Sequence, residues 1–223
     1  MEKNFWVKLF YIFIIGSIVG WIVEGLYTLI VFKELVNHSA VVIGPFDMAY
    51  GICFVVMTLL FYKFPKINIF KAFIIGFIGG TILEYIMSLG MELVLGFTAW
   101  DYTGYFLNIN GRVCLIYSVF WGLLGVVWVK LIYPLIMKLL NKFNYKKAKI
   151  AALILIVFLV FDVLLTIQAR ERAKDKMKGI EPKNGFEEFL DNTFNNEYLK
   201  ICIIIWSGKN ESSNILLFNR WGT

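Results

Sequence analysis

Residues 76–92 read GFIGGTILEYIMSLGME and repeat a pattern of residues 16–29, GSIVGWIVEGLYTL. With an offset of 60, each stretch carries two glycines, a glutamate and a hydroxyl residue at intervals of four: Gly16, Gly20, Glu24 and Thr28, then Gly76, Gly80, Glu84 and Ser88. Residues four apart share one face of an α-helix. Glycines at this spacing allow close helix packing, so each stripe is predicted to face another helix and to bring its glutamate into that contact.

The composition of the chain is that of an integral membrane protein. Hydrophobic residues make up 59% and charged residues 17% of 223 residues, with a mean hydropathy of +0.71, beyond the range of ordinary soluble domains. The long apolar runs lack the alternation of a transmembrane barrel. The sequence therefore predicts an all-α membrane protein.

Five runs are long enough to be read as transmembrane helices, which need about 20 apolar residues each. They cover residues 5–32, 46–62, 70–95, 113–132 and 150–167. The fourth is predicted to end near Pro134, because proline ends or kinks a helix.

The basic residues are distributed unevenly among the segments that connect the predicted spans. Most lysines before residue 150 lie in or beside the amino terminus and the second and fourth connections: Lys3, Lys8, Lys63, Lys66, Lys71, Lys138, Lys142, Lys146, Lys147 and Lys149. The first and third connections hold only Lys33 and Arg112. The positive-inside rule then places the amino terminus in the cytoplasm. We expect a multi-pass protein surrounded by membrane lipids; the formal net charge of +6 follows from this sorting and does not indicate nucleic-acid binding.

A second pair of anchors extends the repeat. Gly44 precedes Tyr50 by six residues and Gly111 precedes Tyr117 by six, at an offset of 67. An insertion of seven residues in the second connecting loop explains the change of offset, since insertions belong in loops. Helices 1–2 and 3–4 are predicted to be a parallel internal repeat of hairpins, with the glutamate stripes meeting near the pseudo-twofold axis.

The fifth helix has no counterpart in the repeat and is predicted to be peripheral. It carries Asp162, which we expect to point inward. We divide the chain into a transmembrane helical domain, residues 1–168, and a polar carboxy-terminal tail, residues 169–223, that is partly disordered or peripheral and contains a short amphipathic helix near residues 186–194.

The two repeated glutamates are candidate functional residues. They lie roughly 20–24 Å from the cytoplasmic face at about 1.5 Å per residue. Exposing such a group to lipid costs about 2.5–3.5 kcal/mol, so they should face protein, a cation or water. A functional interpretation is an outward-facing polar pocket lined by Glu24, Glu84 and Arg112, with Glu92, Trp100, Asp101, Tyr102 and Asn108 at its mouth.

A structural interpretation stays open beside it. In that interpretation the two acids form interhelical hydrogen bonds that fix the packing of helices 1 and 3, and Arg112 neutralises them.

No pattern predicts a cofactor or a metal. The three cysteines, Cys53, Cys114 and Cys202, form no metal-ligand spacing with the single histidine, His38, and no nucleotide-binding or hydrolase motif occurs. We expect neither bound metal nor cofactor, and an ATPase would have to be a separate subunit.

Ordered motifs across residues 10–170 resemble a known family. They include Gly20-Trp21-x-x-Glu24, Gly44-Pro45-Phe46, Tyr50-Gly51, Trp100-Asp101-Tyr102, Asn108, Gly111-Arg112, Cys114-Leu115 and Trp121-Gly122. The sequence is similar to the bacterial "putative ABC transporter permease" family of the CmpB type. The resemblance implies a small multi-spanning protein of the bacterial cytoplasmic (inner) membrane, named as a transport permease.

Three functions compete at this point. The leading hypothesis is a permease-like transport component that works as a homo-oligomer. A second is a membrane-embedded enzyme acting on a lipid or envelope precursor, with Glu24 or Glu84 as general acid/base and Arg112 holding phosphate. A third is a non-catalytic membrane scaffold or sensor in which the acids only specify packing.

Overall fold

The computed structural model describes residues 4–33, 37–64, 66–95, 98 and 100–194. These residues form seven α-helices and one π-helical turn: α1 (Phe5–Phe32), α2 (Met48–Phe61), α3 (Ile69–Leu95), α4 (Leu115–Val127), the π-turn (Trp128–Ile132), α5 (Tyr133–Leu140), α6 (Tyr145–Met177) and α7 (Gly185–Thr193). The described residues contain no strand beyond an isolated bridge between Ile109 and Val113. The predicted all-α class is confirmed for this part of the chain, whereas residues 195–223 of the predicted tail lie outside it.

Four apolar segments are long enough to cross a membrane: Phe5–Val31, Ile69–Leu93, Leu115–Leu140 and Tyr145–Lys176. The chain is therefore a multi-pass membrane protein. The predicted second span is the exception, because α2 contains 14 residues, or about 21 Å of helix against about 30 Å of hydrocarbon.

The second helix is short because the chain before it folds into the bundle. We name residues 37–47 loop L1. The Asp47 amide donates to the Ser17 carbonyl at 3.0 Å, and Ser17 lies near the middle of α1. The Asp47 side chain then caps α2 by accepting hydrogen bonds from the amides of Ala49 and Tyr50. Irregular backbone at this depth requires protein partners for its polar groups, and L1 has them, as described below.

The fourth helical segment does not end near Pro134. The π-turn follows α4, and α5 continues to Leu140, with Pro134 in its first turn. Pro134 has no N–H to donate to the preceding turn, and the π-turn directly before it is a local distortion of the kind that accompanies such a break. A π-turn and a proline together are recognised causes of a helix kink.

The fifth predicted span is also longer than predicted. Asn144 caps α6 by accepting hydrogen bonds from the amides of Lys146 and Lys147. The helix continues through the charged residues 170–176 to Met177, so it crosses the division that we placed after residue 168. α7 packs against its carboxy-terminal part.

The tightest helix pairs are α1 with α2 and α3 with α4. A core cluster near the start of α1 joins both pairs with the π-turn and α5; its buried members are Ile12, Met57, Phe61, Ala72, Trp128, Val129, Ile136 and Leu140. A second cluster packs α6 against α1 and L1 through Leu159, Ile14, Val41 and Phe46. Much of α6 exposes large apolar side chains, as expected for a helix at the edge of a membrane bundle.

Candidate functional site

The glycine stripes lie against the second helix of their own hairpins. A Cβ atom added to Gly16 would sit 2.6 Å from Phe54, and one added to Gly20 would sit 2.3 Å from Tyr50. In the second hairpin, a Cβ on Gly76 would sit 2.7 Å from the Trp121 carbonyl oxygen. The glycines therefore permit contacts that any larger residue would block.

Glu24 follows Gly20 by one turn of α1 and is half-buried. Its Oε1 accepts a hydrogen bond of 2.6 Å from the Tyr50 hydroxyl on α2. Beside it, Trp21 donates its indole N–H to Asn37 Oδ1 of L1 at 2.7 Å. The first carboxylate is therefore held where α1, α2 and L1 meet.

Glu84 occupies the matching position on α3 and is 7% exposed. Its Oε1 accepts a hydrogen bond of 3.0 Å from the Tyr102 hydroxyl, and its Oε2 accepts one of 3.1 Å from the Trp121 indole. Tyr102 stacks on Tyr117, with ring centroids 4.4 Å apart. Both carboxylate oxygens are thus bound by neutral donors from the second hairpin.

Arg112 does not bond to either repeated glutamate among the contacts of the described residues. Its guanidinium forms an ion pair with Glu92 and donates to Ser88 Oγ at 3.3 Å. Ser88 and Glu92 lie one and two helical turns beyond Glu84 on the same face. Arg112 precedes α4 and lies beside the last turns of α3, which explains why it reaches these residues and not the predicted partners.

The other residues predicted at the mouth belong to the connection between α3 and α4, whose residues 100–114 we name loop L2. The Trp100 indole donates to the Arg112 carbonyl at 2.9 Å. Asn108 donates to the Tyr105 carbonyl and accepts from the Gly111 amide. These hydrogen bonds fix the shape of L2 around Arg112.

Asp101 is exposed and accepts hydrogen bonds from the Thr103 amide, at 2.8 Å, and from the Thr103 hydroxyl. Both bonds stabilise the charged form and lower the pKa of Asp101. Gly111 has a φ of +67°, and a Cβ there would sit 2.5 Å from Asp101 Oδ1. Glycine is therefore required at this turn for conformation and for space.

Polar side chains of α6 bind the backbone of L1, a set of contacts that the sequence-based predictions did not include. Asp162 Oδ1 accepts a hydrogen bond from the Ile43 amide at 3.0 Å, and Thr166 Oγ1 accepts one from the Val42 amide at 2.9 Å. Arg170 donates to the Ala40 carbonyl at 3.2 Å. We call Asp162, Thr166 and Arg170 the α6 clamp.

Spacing offers a signal that could have found the clamp. Its three members follow one another at intervals of four along α6 and therefore form one polar stripe on an apolar helix. Asp162 is fully buried, and its partner is the backbone of L1. Tyr50 and Trp121 were not predicted as partners of the glutamates, although Tyr50 is a repeat anchor and both residues belong to the motifs that resemble the family.

The described residues contain no group of three or more His, Cys, Asp and Glu side chains that could hold a metal ion. Each repeated glutamate is held by donors of its own hairpin, Glu24 by Tyr50 and Glu84 by Tyr102 and Trp121, and the ion pair of Arg112 lies further along α3.

A family profile described as "Putative ABC-transporter type IV" matches residues 11–167, more than two thirds of the chain. The chain belongs to this family. The match confirms the resemblance and covers both glutamates, L1, L2 and most of α6. It also supports a role in membrane transport. No curated protein and no solved structure matches the chain.

Proposed function

We propose that this protein is the membrane-spanning component of a transport system, and that Glu24 and Glu84 bind a positively charged solute or a proton on its way through the membrane. The observation that carries the proposal is the environment of the two carboxylates. Each is held by neutral donors, Tyr50 for the first and Tyr102 with Trp121 for the second.

Electrostatics supports a cationic ligand. A carboxylate within the hydrocarbon region is costly to keep charged without a cation, and the nearby guanidinium of Arg112 is paired with Glu92. A tyrosine hydroxyl can either donate to a carboxylate or accept from a protonated carboxyl group. A Glu–Tyr pair can therefore exchange a bound proton for a cation without losing its hydrogen bond.

The two sites are related by the internal repeat that we propose. α2 and α4 begin at Met48 and Leu115, which differ by the offset of 67. Gly44 and Gly111, at the same offset, both have positive φ. These two matches support a common turn and helix start in the two hairpins.

The same repeat accounts for a difference between the sites. Tyr117 corresponds to Tyr50 in the repeat. Its ring stacks on Tyr102, and it is Tyr102 that donates the hydrogen bond to Glu84. The insertion in L2 is the source of the additional tyrosine, which takes the place at Glu84 that Tyr50 has at Glu24.

The proposed setting is the inner membrane of a bacterium, with the amino terminus in the cytoplasm and L1 and L2 outside. In that orientation the carboxylates lie in the outer half of the bilayer. Glu92, Trp100, Asp101, Tyr102, Asn108 and Arg112 then form the outer approach to the second site.

The family description supports a separate ATPase subunit as partner, because the sequence contains no nucleotide-binding motif. With a short second helix, one chain is a small unit for enclosing a solute path, so we propose that it works as a homo-oligomer in contact with membrane lipids. The pairing of Arg112 with Glu92 favours transport over the enzyme hypothesis, which required a free guanidinium for phosphate.

The test uses purified full-length protein and the variants Glu24→Gln and Glu84→Gln. Thermal unfolding is followed with potassium, spermidine and tetramethylammonium as probes, and uptake of each probe is measured in proteoliposomes with and without a copurified ATPase. We expect at least one probe to raise the Tm of the wild type and to be taken up, and both effects to be lost in the two variants. Glu171→Gln, which alters an exposed pair with Lys174, is the control. Folded Glu24 and Glu84 variants that keep wild-type uptake would overturn the proposal.

A further inference from the structure

The junction between α5 and α6 carries a concentrated positive charge. Its lysines are exposed, and we define the basic junction as Lys138, Lys142, Lys146, Lys147 and Lys149. No Asp or Glu occurs between Asp101 and Asp162, so the flanking sequence supplies no carboxylate. None of the five lysines forms an ion pair with any residue that the structure describes.

Exposed apolar side chains flank these lysines on both sides. On α5, Leu135 and Leu139 are 58% and 50% exposed, whereas Ile136 and Leu140 are buried in the core. On α6, Ile150 is 63% exposed and begins the apolar run of that helix. The basic junction therefore lies between two apolar surfaces.

Contacts with α1 place the junction at the level where the bundle begins. The Tyr11 hydroxyl donates to the Ala148 carbonyl at 2.9 Å, and the Lys8 ammonium lies 5.9 Å from the centre of the Tyr145 ring. The start of α6 is thus level with the first turns of α1. Candidate membrane spans begin at Phe5 and at Tyr145, and the end of a span is where lipid headgroups meet the acyl chains.

We propose that the basic junction binds the headgroup of an anionic phospholipid of the adjacent leaflet, with Leu135, Leu139 and Ile150 in contact with its acyl chains. Lysine ammonium groups recognise phosphate as point charges, and clusters of four or more at a membrane surface attract anionic lipids. The exposed leucines select a lipid over a free anion, because a free anion has no apolar part to cover them. Phosphatidylglycerol has the required chemistry.

The experiment measures the Tm of the purified full-length protein in detergent while lipid is titrated in. Phosphatidylglycerol is compared with phosphatidylcholine of the same acyl chains and with soluble glycerol phosphate. We expect phosphatidylglycerol to raise the Tm at the lowest concentration and glycerol phosphate to have no effect. An equal response to phosphatidylcholine, or a full response to glycerol phosphate, would overturn the lipid assignment.

Two variants locate the site. Lys138→Gln/Lys142→Gln should shift the phosphatidylglycerol titration to roughly 25-fold higher concentration, at about fivefold for each lysine. Lys176→Gln/Lys178→Gln removes the same charge at the other end of α6, where both side chains are exposed, and should leave the titration unchanged. Lys138→Arg/Lys142→Arg keeps the charge and should bind as the wild type does. Equal shifts in the two Gln pairs would show a general charge effect and would contradict a site at the junction.

Discussion

The Tyr50 hydroxyl on α2 donates a hydrogen bond of 2.6 Å to Glu24 Oε1 on α1. Gly20 makes this contact possible, since the Tyr50 ring occupies the space that a side chain at position 20 would fill. The ring then reaches Glu24 one turn further along α1. A small residue, an aromatic ring and a carboxylate therefore form one unit that joins the first hairpin.

Replacing Tyr50 by Phe tests the strength of this unit. We expect the free energy of unfolding to fall by about 1 kcal/mol, because Glu24 loses a donor while the ring keeps its packing. Thermal or denaturant unfolding in detergent measures the change. Tyr62→Phe is the control, since Tyr62 packs against Phe5 and its hydroxyl has no hydrogen bond among the described contacts. Equal stability of the two variants would contradict the prediction.

Alanine substitutions at two glycines of α3 distinguish the effect of close helix packing from the effect of helix propensity. A Cβ on Gly76 would lie 2.7 Å from the Trp121 carbonyl oxygen and 2.9 Å from Gly125 Cα, and these backbone atoms cannot move aside. Gly76→Ala should therefore destabilise the protein by about 1–3 kcal/mol through overpacking. Gly90→Ala meets no atom within 4 Å and should stabilise it by up to about 1 kcal/mol. Melting temperatures that move in the same direction would argue against this difference.

Thr166→Val removes one contact of the α6 clamp at almost constant volume. The Val42 amide then loses its hydrogen bond to the Thr166 hydroxyl, which should lower the free energy of unfolding by about 1 kcal/mol. Hydrogen exchange in detergent should show faster exchange at Val42 and Ile43, with little change in α3. Unchanged protection in L1 would mean that the clamp does not hold the loop.

Arg172 and Asp191 join α6 to α7 through two hydrogen bonds of 3.1 and 2.8 Å, and their side chains are 5% and 14% exposed. Asp191→Asn should loosen α7 and expose it to limited proteolysis, because breaking a buried pair leaves a charge without its partner. The exposed pair of Lys174 and Glu171 is the control. Glu171→Gln should change the free energy of unfolding by less than about 0.5 kcal/mol. Similar proteolysis of Asp191→Asn and Glu171→Gln would refute the prediction.

The pKa of Asp101 predicts a pH dependence in L2. Hydrogen bonds from Thr103 lower this pKa in the folded protein, so the unfolded chain binds a proton first as the pH falls. The stabilisation is complete above the ordinary pKa of about 3.9 and is lost as the pH falls through the lower folded value. The difference in Tm between the wild type and Asp101→Ala should be constant from pH 7 to 5 and shrink below pH 4. A constant difference down to pH 3 would disprove it.

Local sequence signals were sufficient for some parts of the site. Intervals of four identified the stripes that contain Glu24 and Glu84, because helix periodicity is a property of neighbouring residues. They could not identify the partner of Arg112. Glu92 and Glu84 lie on the same face of α3, and the choice between them depends on where L2 places the guanidinium.

The shortened second helix shows the same limit. The apolar run around α2 predicts a span, but L1 folds against α1 before α2 begins. The backbone amides of L1 bind side chains of the α6 clamp that lie more than 110 residues away in sequence. No local pattern contains that contact, because the clamp is formed only when α6 packs beside the first hairpin.

The sequence by itself determined that this is a helical membrane protein with two glycine and glutamate stripes, and it identified the family. Hydrophobicity and helix periodicity are properties of residues that are close together in the chain, so they can be predicted from the sequence alone. Only the tertiary structure decided that tyrosine and tryptophan hold the glutamates, that Arg112 pairs with Glu92 and that Asp162 supports a loop. Hydrogen bonds are directional and short, so the partner of a buried polar group depends on which elements the fold brings within about 3 Å.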